Sequence, residues 1–137
     1  MLKNNKGMTL LEIMIVLAIL GSLAAVLVTQ INKQQRKSKL RQAKIQIGEI
    51  SKNLDLFYSD CGFYPSSDQG LNALVEAPGE ACPDWGPESY IKKVPRDPWN
   101  HDFIYEATDG SYELISLGED GRDGGTGYNK DISSEDL

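Results

Sequence analysis

The stretch that decides the fold runs from residue 7 to residue 31 and reads GMTLLEIMIVLAILGSLAAVLVTQI. Apart from four uncharged polar residues and one acid, Glu12, the run from Met8 to Ile31 is apolar. As a helix rising about 1.5 Å per residue, it would span roughly 36 Å, which is enough to cross a hydrocarbon core of about 30 Å. Because the run is apolar all round rather than along one stripe, the sequence predicts a helix that faces lipid.

Two flanking lysines give the orientation of this helix. Lys3 and Lys6 precede the apolar run, and positive residues next to a membrane helix are retained on the cytoplasmic side. We therefore expect a single-pass membrane protein with a cytoplasmic N-terminus and an exported C-terminal part.

Glu12 is the residue that a simple membrane anchor does not need. A charge at the centre of a membrane helix costs about 2.5–3.5 kcal/mol on insertion scales and less near an end, and the run offers no counter-charge. One interpretation is that Glu12 reaches water from one turn inside the interface. The other is that a cut after Gly7 frees the α-amino group of Met8, which would be largely cationic at neutral pH. That amine could pair with Glu12 of its own chain or of a neighbouring copy.

The residues around this cut resemble a known signal. Gly7-Met8-Thr9-Leu10-Leu11-Glu12, after a basic leader and before a long apolar helix, is similar to the class III signal of type IV pilins and type II secretion pseudopilins. The resemblance implies that a prepilin peptidase cleaves between Gly7 and Met8 and methylates the new N-terminus at Met8. It also implies that Glu12 serves assembly.

A second cleavage site competes with this interpretation. Ser22-Leu23-Ala24 has the small residues that end an ordinary secretory signal. However, an acid within the apolar core of such a signal is unusual, and the apolar run continues to Val28.

Beyond the membrane run the helix is expected to continue. Residues 32–44 are basic and contain no proline, so they form either a solvated face or a surface that meets lipid headgroups or acidic neighbours. Apolar residues then recur at steps of three and four, which predicts an amphipathic second half of a single helix from about Met8 to Ser59, with Gly62 as a cap residue. The stripe consists of Leu40, Ala43, Ile47, Ile50, Leu54 and Phe57. Gly21 is the weak point, and whether the helix melts there stays open.

The remaining residues predict a small α+β region. Ser66 and Gln69 fit a capping box before a short helix, and residues 78–100 carry five prolines and are expected to form an ordered loop. Two strands, from Phe103 to Ala107 and from Tyr112 to Leu117, are joined by a turn containing Asp109-Gly110. We expect the C-terminal residues after Asp131 to be frayed.

This central region sharpens the resemblance. The motifs that resemble the family are, in order, Phe63-Tyr64-Pro65, residues 68–75, Tyr90-Ile91-Lys92-Lys93-Val94-Pro95, Asp97-Pro98-Trp99, Ser116-Leu117-Gly118 and Asp120-Gly121. Together they resemble the major pseudopilins of type II secretion, within the type IV pilin-like superfamily. The resemblance implies a pilin-like fold, with a long N-terminal helix packed on a small antiparallel sheet and a C-terminal calcium loop.

The four parts of the chain follow from these assignments. Residues 1–7 are the prepilin leader, residues 8–31 the transmembrane and filament-core half of the helix, and residues 32–60 its amphipathic half. Residues 61–137 form the periplasmic globular region.

The two cysteines, Cys61 and Cys82, are the only ones in the chain. An even count in an exported domain suggests one disulfide, which would close a loop of about 22 residues and stabilise the fold by roughly 3 kcal/mol in the loop-entropy model. Two free buried thiols are the alternative. A metal site built from them is disfavoured, because His101 is the single histidine and lies far along the chain.

The stretch from Leu117 to Asp131 is rich in glycine and acids. Such composition suits either an exposed acidic loop or a calcium site, since calcium takes six to eight oxygens from carboxylates and carbonyls. The resemblance implies the calcium site, with side-chain ligands from Asp120 and Asp131, the carbonyl of Leu117, and Asp123 as a further ligand. Lys130 stands where the family often has an acid, so the ligand set is left incomplete.

Function follows from the resemblance rather than from composition. It implies a non-enzymatic subunit, a homopolymer forming a periplasmic filament that drives folded proteins across the outer membrane. Its implied partners are the prepilin peptidase, the inner-membrane assembly platform and minor pseudopilins, with the membrane as its environment before assembly. The net charge of −6 argues against nucleic acid as a partner. A type IV pilus subunit and a non-polymerising membrane-tethered binding module remain alternatives.

N-terminal mass analysis of the mature chain separates the two cleavage sites. We expect the chain to start at N-methylated Met8, because the glycine, the acid and the apolar run follow the order of the prepilin signal. A chain that starts at Ala25 would contradict this expectation and support an ordinary secretory signal.

Overall fold

The computed structural model describes residues 6–137, so most of the predicted leader lies outside the described residues. The chain forms two compact units, one ending at Arg36 and the other comprising Lys37–Leu137. One helix, α1, extends from Leu10 to Cys61 and contributes to both units. The predicted helix is therefore confirmed, with ends two residues later than expected.

The N-terminal unit contains the apolar part of α1. Its large apolar side chains are all exposed, from 40% for Ile13 to 78% for Leu10. An 18-residue window of α1 has a mean hydropathy of 2.7 and buries none of its residues, so the helix is long and apolar enough to cross a membrane. The helix continues through Gly21, where an added Cβ would meet nothing within 4 Å.

The C-terminal unit is built on one stripe of α1. Five of the six residues predicted from the apolar spacing are buried and the sixth, Leu40, is half-buried, while the basic residues between them are exposed. The buried members of the stripe are Ala43, Ile47, Ile50, Leu54 and Phe57. The predicted cap residue is confirmed, since Gly62 adopts a φ of +79° and donates its backbone N–H to the carbonyl of Tyr58 at 2.7 Å.

A three-stranded antiparallel sheet contributes to the core that covers this stripe. Strand β1 comprises Ile104–Thr108, β2 comprises Ser111–Ser116 and β3 comprises Ile132–Ser133, in the order β1-β2-β3. The predicted hairpin is confirmed to within one residue, with Thr108 opposite Ser111 across the Asp109-Gly110 turn. Leu114 at the centre of the sheet is fully buried in the same core as the stripe.

The expectation of a frayed C-terminus is wrong. Ile132 is 7% exposed and pairs with Ser116, and the Ser134 hydroxyl accepts a hydrogen bond from the Leu114 backbone N–H at 3.0 Å. The final residues form a short 3₁₀ turn, Ser134–Asp136. Burial of Ile132 and pairing with β2 hold this end in place, because together they compensate for the chain entropy lost on ordering.

The segment between α1 and β1 packs as an ordered layer. The capping-box bonds form as predicted, with the Ser66 N–H donating to Gln69 Oε1 at 3.0 Å and the Gln69 N–H donating to Ser66 Oγ at 3.2 Å. The helix that follows is a five-residue 3₁₀ helix, Gly70–Leu74. The proline-rich loop packs on it, and one short 3₁₀ turn, Gly79–Ala81, departs from the expectation of a loop without helix.

A disulfide joins Cys61 to Cys82, with the two Cα atoms 5.2 Å apart. It connects the last residue of α1 to the proline-rich loop. In the same loop, the Trp85 indole N–H donates to the carbonyl of Ala73 at 2.8 Å. The loop is therefore attached at both the helix end and the 3₁₀ helix.

Two tyrosines add hydrogen bonds to acids near the end of α1. Tyr90 donates to Asp60 at 2.5 Å and Tyr64 donates to Asp55 at 3.0 Å. Burial first, and then the hydrogen bond to the carboxylate, raises the pKa of each tyrosine to about 12. Both hydroxyls therefore remain protonated donors at neutral pH.

A pair of leucines tests the importance of the buried stripe. Leu54 is fully buried, whereas Leu56, two residues later on α1, is 56% exposed. We expect Leu54→Ala to lower the free energy of unfolding by about 2–5 kcal/mol, because it leaves a cavity in the core, and Leu56→Ala to change it by about 0.5 kcal/mol or less.

Urea titration of the detergent-solubilised full chain, followed by tryptophan fluorescence, measures both variants. Trp85 and Trp99 are the two tryptophans of the chain, so the signal reports on the C-terminal unit. Equal losses of stability in the two variants would contradict the assignment of the stripe as the core.

Candidate functional site

The start of α1 shows how the chain accommodates Glu12. The Glu12 N–H donates to Thr9 Oγ1 at 3.2 Å, and the Thr9 N–H donates to Glu12 Oε2 at 3.5 Å. This reciprocal pair is a capping box, which satisfies two amides at the helix N-terminus. Among residues 6–137, Glu12 therefore has an amide partner in its own uncleaved chain but no ion-pair partner. The Thr-x-x-Glu pattern is visible in the sequence, but its capping role was not among the predictions.

The predicted cleavage site lies just before this capping box. Residues 6–9 have no regular secondary structure, and both Gly7 and Met8 are exposed. A Cβ on Gly7 would meet nothing within 4 Å. The peptide bond between Gly7 and Met8 is therefore sterically open and not protected by helical hydrogen bonds.

The acidic glycine-rich loop follows directly from β2. Its two halves lie against each other, since the Glu119 N–H donates to the carbonyl of Tyr128 at 3.1 Å. A Cβ built on Gly118 would lie only 2.9 Å from the carbonyl oxygen of Lys130, so a larger residue would push the halves apart. The fold thus brings the backbone next to Leu117 beside the backbone next to Asp131.

The carboxylates of this loop differ in their surroundings. Asp131 Oδ2 accepts a hydrogen bond from the Gly124 N–H at 2.8 Å, while its Oδ1 is buried and has no hydrogen-bond partner. Asp120 Oδ1 accepts from the Arg122 N–H at 3.1 Å, and Asp123 is exposed. A buried carboxylate oxygen without a donor is costly unless a cation or a water completes it.

These residues fit calcium in part. Among residues 6–137, no group of three or more histidine, cysteine or acidic side chains is placed to hold a metal. A site here would therefore combine one or two carboxylates with backbone carbonyls and water, which calcium tolerates. The unpartnered oxygen of Asp131 is the observation that favours such a site.

A buried aspartate beside this loop was missed by sequence reasoning. Asp97 is 4% exposed and accepts three hydrogen bonds. The backbone N–H groups of Trp99 and His101 donate to its Oδ1 at 3.1 and 2.8 Å, and the Ser116 hydroxyl donates to its Oδ2 at 2.9 Å. An aspartate before a proline signals a turn, but the partnership with Ser116 joins residues 19 positions apart and has no local signal.

The comparisons with known proteins identify the family. The family model described as "Type II secretion system (T2SS), protein G" matches residues 30–135. The chain belongs to the type II secretion system protein G family. A second model, the prokaryotic N-terminal methylation motif, matches residues 2–28 and includes the predicted cleavage site.

Relatives of the protein G family match the chain over nearly its whole length. The type II secretion system core protein G of Pseudomonas aeruginosa is 42% identical and covers 98% of this chain and 97% of its own. That of Vibrio cholerae is 36% identical, with coverages of 97% and 93%. The crystal structure of the major pseudopilin of enterohaemorrhagic Escherichia coli matches with a TM-score of 0.64 at 24% identity, covering 77% of this chain and 93% of that one.

Membership in the protein G family settles the broad functional class. The chain is a structural pseudopilin subunit with a pseudopilus role in type II secretion, and it is not an enzyme. The methylation motif implies pseudopilus assembly with the secretion system. The apolar N-terminal helix is consistent with membrane anchoring followed by a periplasmic pseudopilus. The expected pilin-like α+β fold is confirmed by the similarity to the pseudopilin structure.

Proposed function

We propose that this chain polymerises with identical copies into the periplasmic pseudopilus that drives folded proteins across the outer membrane. The observation that carries the proposal is the exposed apolar half of α1, in which every large apolar side chain from Leu10 to Ile31 keeps at least 40% of its surface. Such a surface requires lipid or other apolar helices around it. Lateral packing of these helices in a non-closing, helical array satisfies the requirement when the chain leaves the membrane.

Processing precedes assembly in this proposal. The chain inserts as a single-pass inner-membrane protein with its N-terminus in the cytoplasm, where Lys3 and Lys6 retain it. A prepilin peptidase cuts between Gly7 and Met8 and methylates Met8. The exposed and non-helical state of residues 6–9 supports access for the peptidase. The inner-membrane assembly platform and the minor pseudopilins are the further proposed partners.

Glu12 is the proposed electrostatic contact between copies. In the uncleaved chain its carboxylate accepts only from the Thr9 amide, at 3.5 Å, among the contacts described for residues 6–137. Cleavage creates a cationic amine at Met8, which supplies the missing counter-charge. Because a buried charge is tolerated when it is paired, the amine of one copy and Glu12 of the next stabilise packing of the apolar helices.

Two substitutions at Glu12 separate its charge from its capping bond. Glu12→Gln keeps a capping-box acceptor for the Thr9 N–H but removes the charge, and Glu12→Ala removes both. We expect both variants to be processed and to lose at least 90% of filament formation. A tenfold loss corresponds to about 1.4 kcal/mol of lost binding free energy between neighbouring copies. The amount of filament sheared from cells and the yield of crosslinked multimers measure assembly. Mass analysis of the N-terminus measures processing.

Glu49→Ala is the matched control, since Glu49 is an exposed acid on the same helix. It should assemble like the parent chain. If processed Glu12→Gln chains form filaments as well as the parent, the proposed charge contact between copies is wrong.

We propose calcium as the ligand of the acidic loop. Asp120 and Asp131 would supply side-chain oxygens, Leu117 a backbone carbonyl and Asp123 a further oxygen. When bound, the cation would neutralise neighbouring carboxylates and order the loop. The unpartnered Oδ1 of Asp131 and the close approach of residues 118 and 130 support this assignment. An ordered loop would present a fixed surface to the next copy.

Calcium titration tests the ligand. At a calcium concentration of about 100 times Kd, we expect the free energy of unfolding to rise by about 2.7 kcal/mol, and chelator to remove this gain. Asp120→Ala should abolish most of the effect and block filament formation. Asp102→Ala is the control, because Asp102 is exposed and pairs with Arg96 outside the loop. A parent chain whose melting temperature is the same in calcium and in chelator would contradict calcium binding.

A further inference from the structure

We infer that Asp97 is a positioning residue for the cation loop: its buried carboxylate fixes Ser116 and His101, and these fix the backbone that carries the loop's oxygen ligands. This inference rests on the proposed calcium binding. Asp97 would not touch the cation itself. Its role is to hold the loop in the binding conformation before calcium arrives.

The first arm of this arrangement passes through Ser116. Ser116 is fully buried and donates to Asp97 Oδ2 at 2.9 Å. It is the last residue of β2, so the proposed carbonyl ligand Leu117 follows it directly. Ser116 also pairs with Ile132 of β3, and Asp131 immediately precedes Ile132. A bond that fixes Ser116 therefore fixes the backbone next to two proposed ligands on opposite sides of the loop.

The second arm passes through His101. The backbone of His101 is held by two bonds, its N–H donating to Asp97 Oδ1 at 2.8 Å and its carbonyl accepting from the Asp97 N–H at 2.9 Å. Its ring lies against Gly121, where an added Cβ would be 2.9 Å from both Cε1 and Nε2. Gly121 has a φ of +64° and follows the proposed ligand Asp120. Contact with the ring thus limits where the Asp120 backbone can move.

An aspartate suits this position better than an asparagine. The carboxylate accepts all three bonds with two oxygens, whereas an amide has one acceptor oxygen and one NH₂ group. In Asp97→Asn, the amide can keep the two backbone N–H bonds and donate to Ser116 Oγ, which leaves the serine proton without its former acceptor. The shape is conserved, but the bond that fixes Ser116 is reversed.

Substitution of Asp97 should change the affinity for the cation although Asp97 does not bind it. Residues that orient metal ligands without touching the metal typically change metal affinity by about 10–100-fold when they are substituted. Asp97 lies in the Asp97-Pro98-Trp99 turn, outside the loop, so its substitution leaves every proposed ligand in the chain. A change in affinity would therefore report on positioning.

The test measures calcium affinity and calcium-free stability separately. Isothermal titration with calcium gives Kd for the full chain in detergent, and tryptophan fluorescence in chelator gives the stability without the cation. We expect Asp97→Asn and Ser116→Ala each to raise Kd at least 10-fold. A purely structural role would lower the calcium-free stability and leave Kd unchanged in the folded protein.

A double variant tests whether the two residues act through one bond. If they do, Asp97→Asn combined with Ser116→Ala should raise Kd little more than Ser116→Ala alone, because the shared contact is already lost. Should Asp97→Asn fail to fold, Ser116→Ala and His101→Ala report on the two arms individually. Asp102→Asn is the matched control, since its side chain is 84% exposed, and it should leave Kd unchanged.

Two outcomes overturn the inference in different ways. If the parent chain binds calcium and Asp97→Asn, Ser116→Ala and His101→Ala bind it equally well, Asp97 does not position the loop, although the proposed cation site stands. If the parent chain gives no calcium signal, the proposed cation site fails and the inference fails with it.

Discussion

The fold depends on a single stripe of α1 being covered while the rest of the helix is not. From Ala43 to Phe57 the stripe is buried beneath the sheet, the 3₁₀ helix Gly70–Leu74 and the aromatic rings of Phe63 and Tyr90. This burial is the main source of free energy for a C-terminal unit of modest size. From Leu10 to Ile31 the same helix has apolar residues on all sides and no covering layer. The same helix thus contributes one face to a buried core and has an apolar surface that lipid or other helices must cover.

The small sheet depends on contacts between residues that are distant in sequence. A tight turn joins β1 to β2, whereas β3 follows only after the acidic loop and pairs with two residues of β2. The loop is therefore bounded by paired residues at both ends. Asp97 is hydrogen-bonded to one of these residues, Ser116, so its buried carboxylate links the turn before β1 to the end of β2. Ser116 in turn pairs with Ile132 of β3.

Local periodicity explains what the sequence could predict. The spacing of Leu40, Ala43, Ile47 and the residues that follow is a pattern of one helix, so its buried face was predicted residue by residue. The Asp-Gly turn fixed the hairpin in the same way, and two cysteines allow one pairing. The third strand escaped prediction because two residues, Ile132 and Ser133, have no periodicity of their own. Asp97 escaped because its long-range partner, Ser116, becomes a neighbour only after the sheet has formed.

The disulfide between Cys61 and Cys82 depends on the compartment in which the cysteines lie. Thiols stay reduced in the cytosol and become oxidised outside it, so in the proposed topology a chain that is still being inserted would not yet have this crosslink. The disulfide would form only after both cysteines have left the cytosol. Under that proposal, copies that have completed translocation would be covalently distinct from copies that have not.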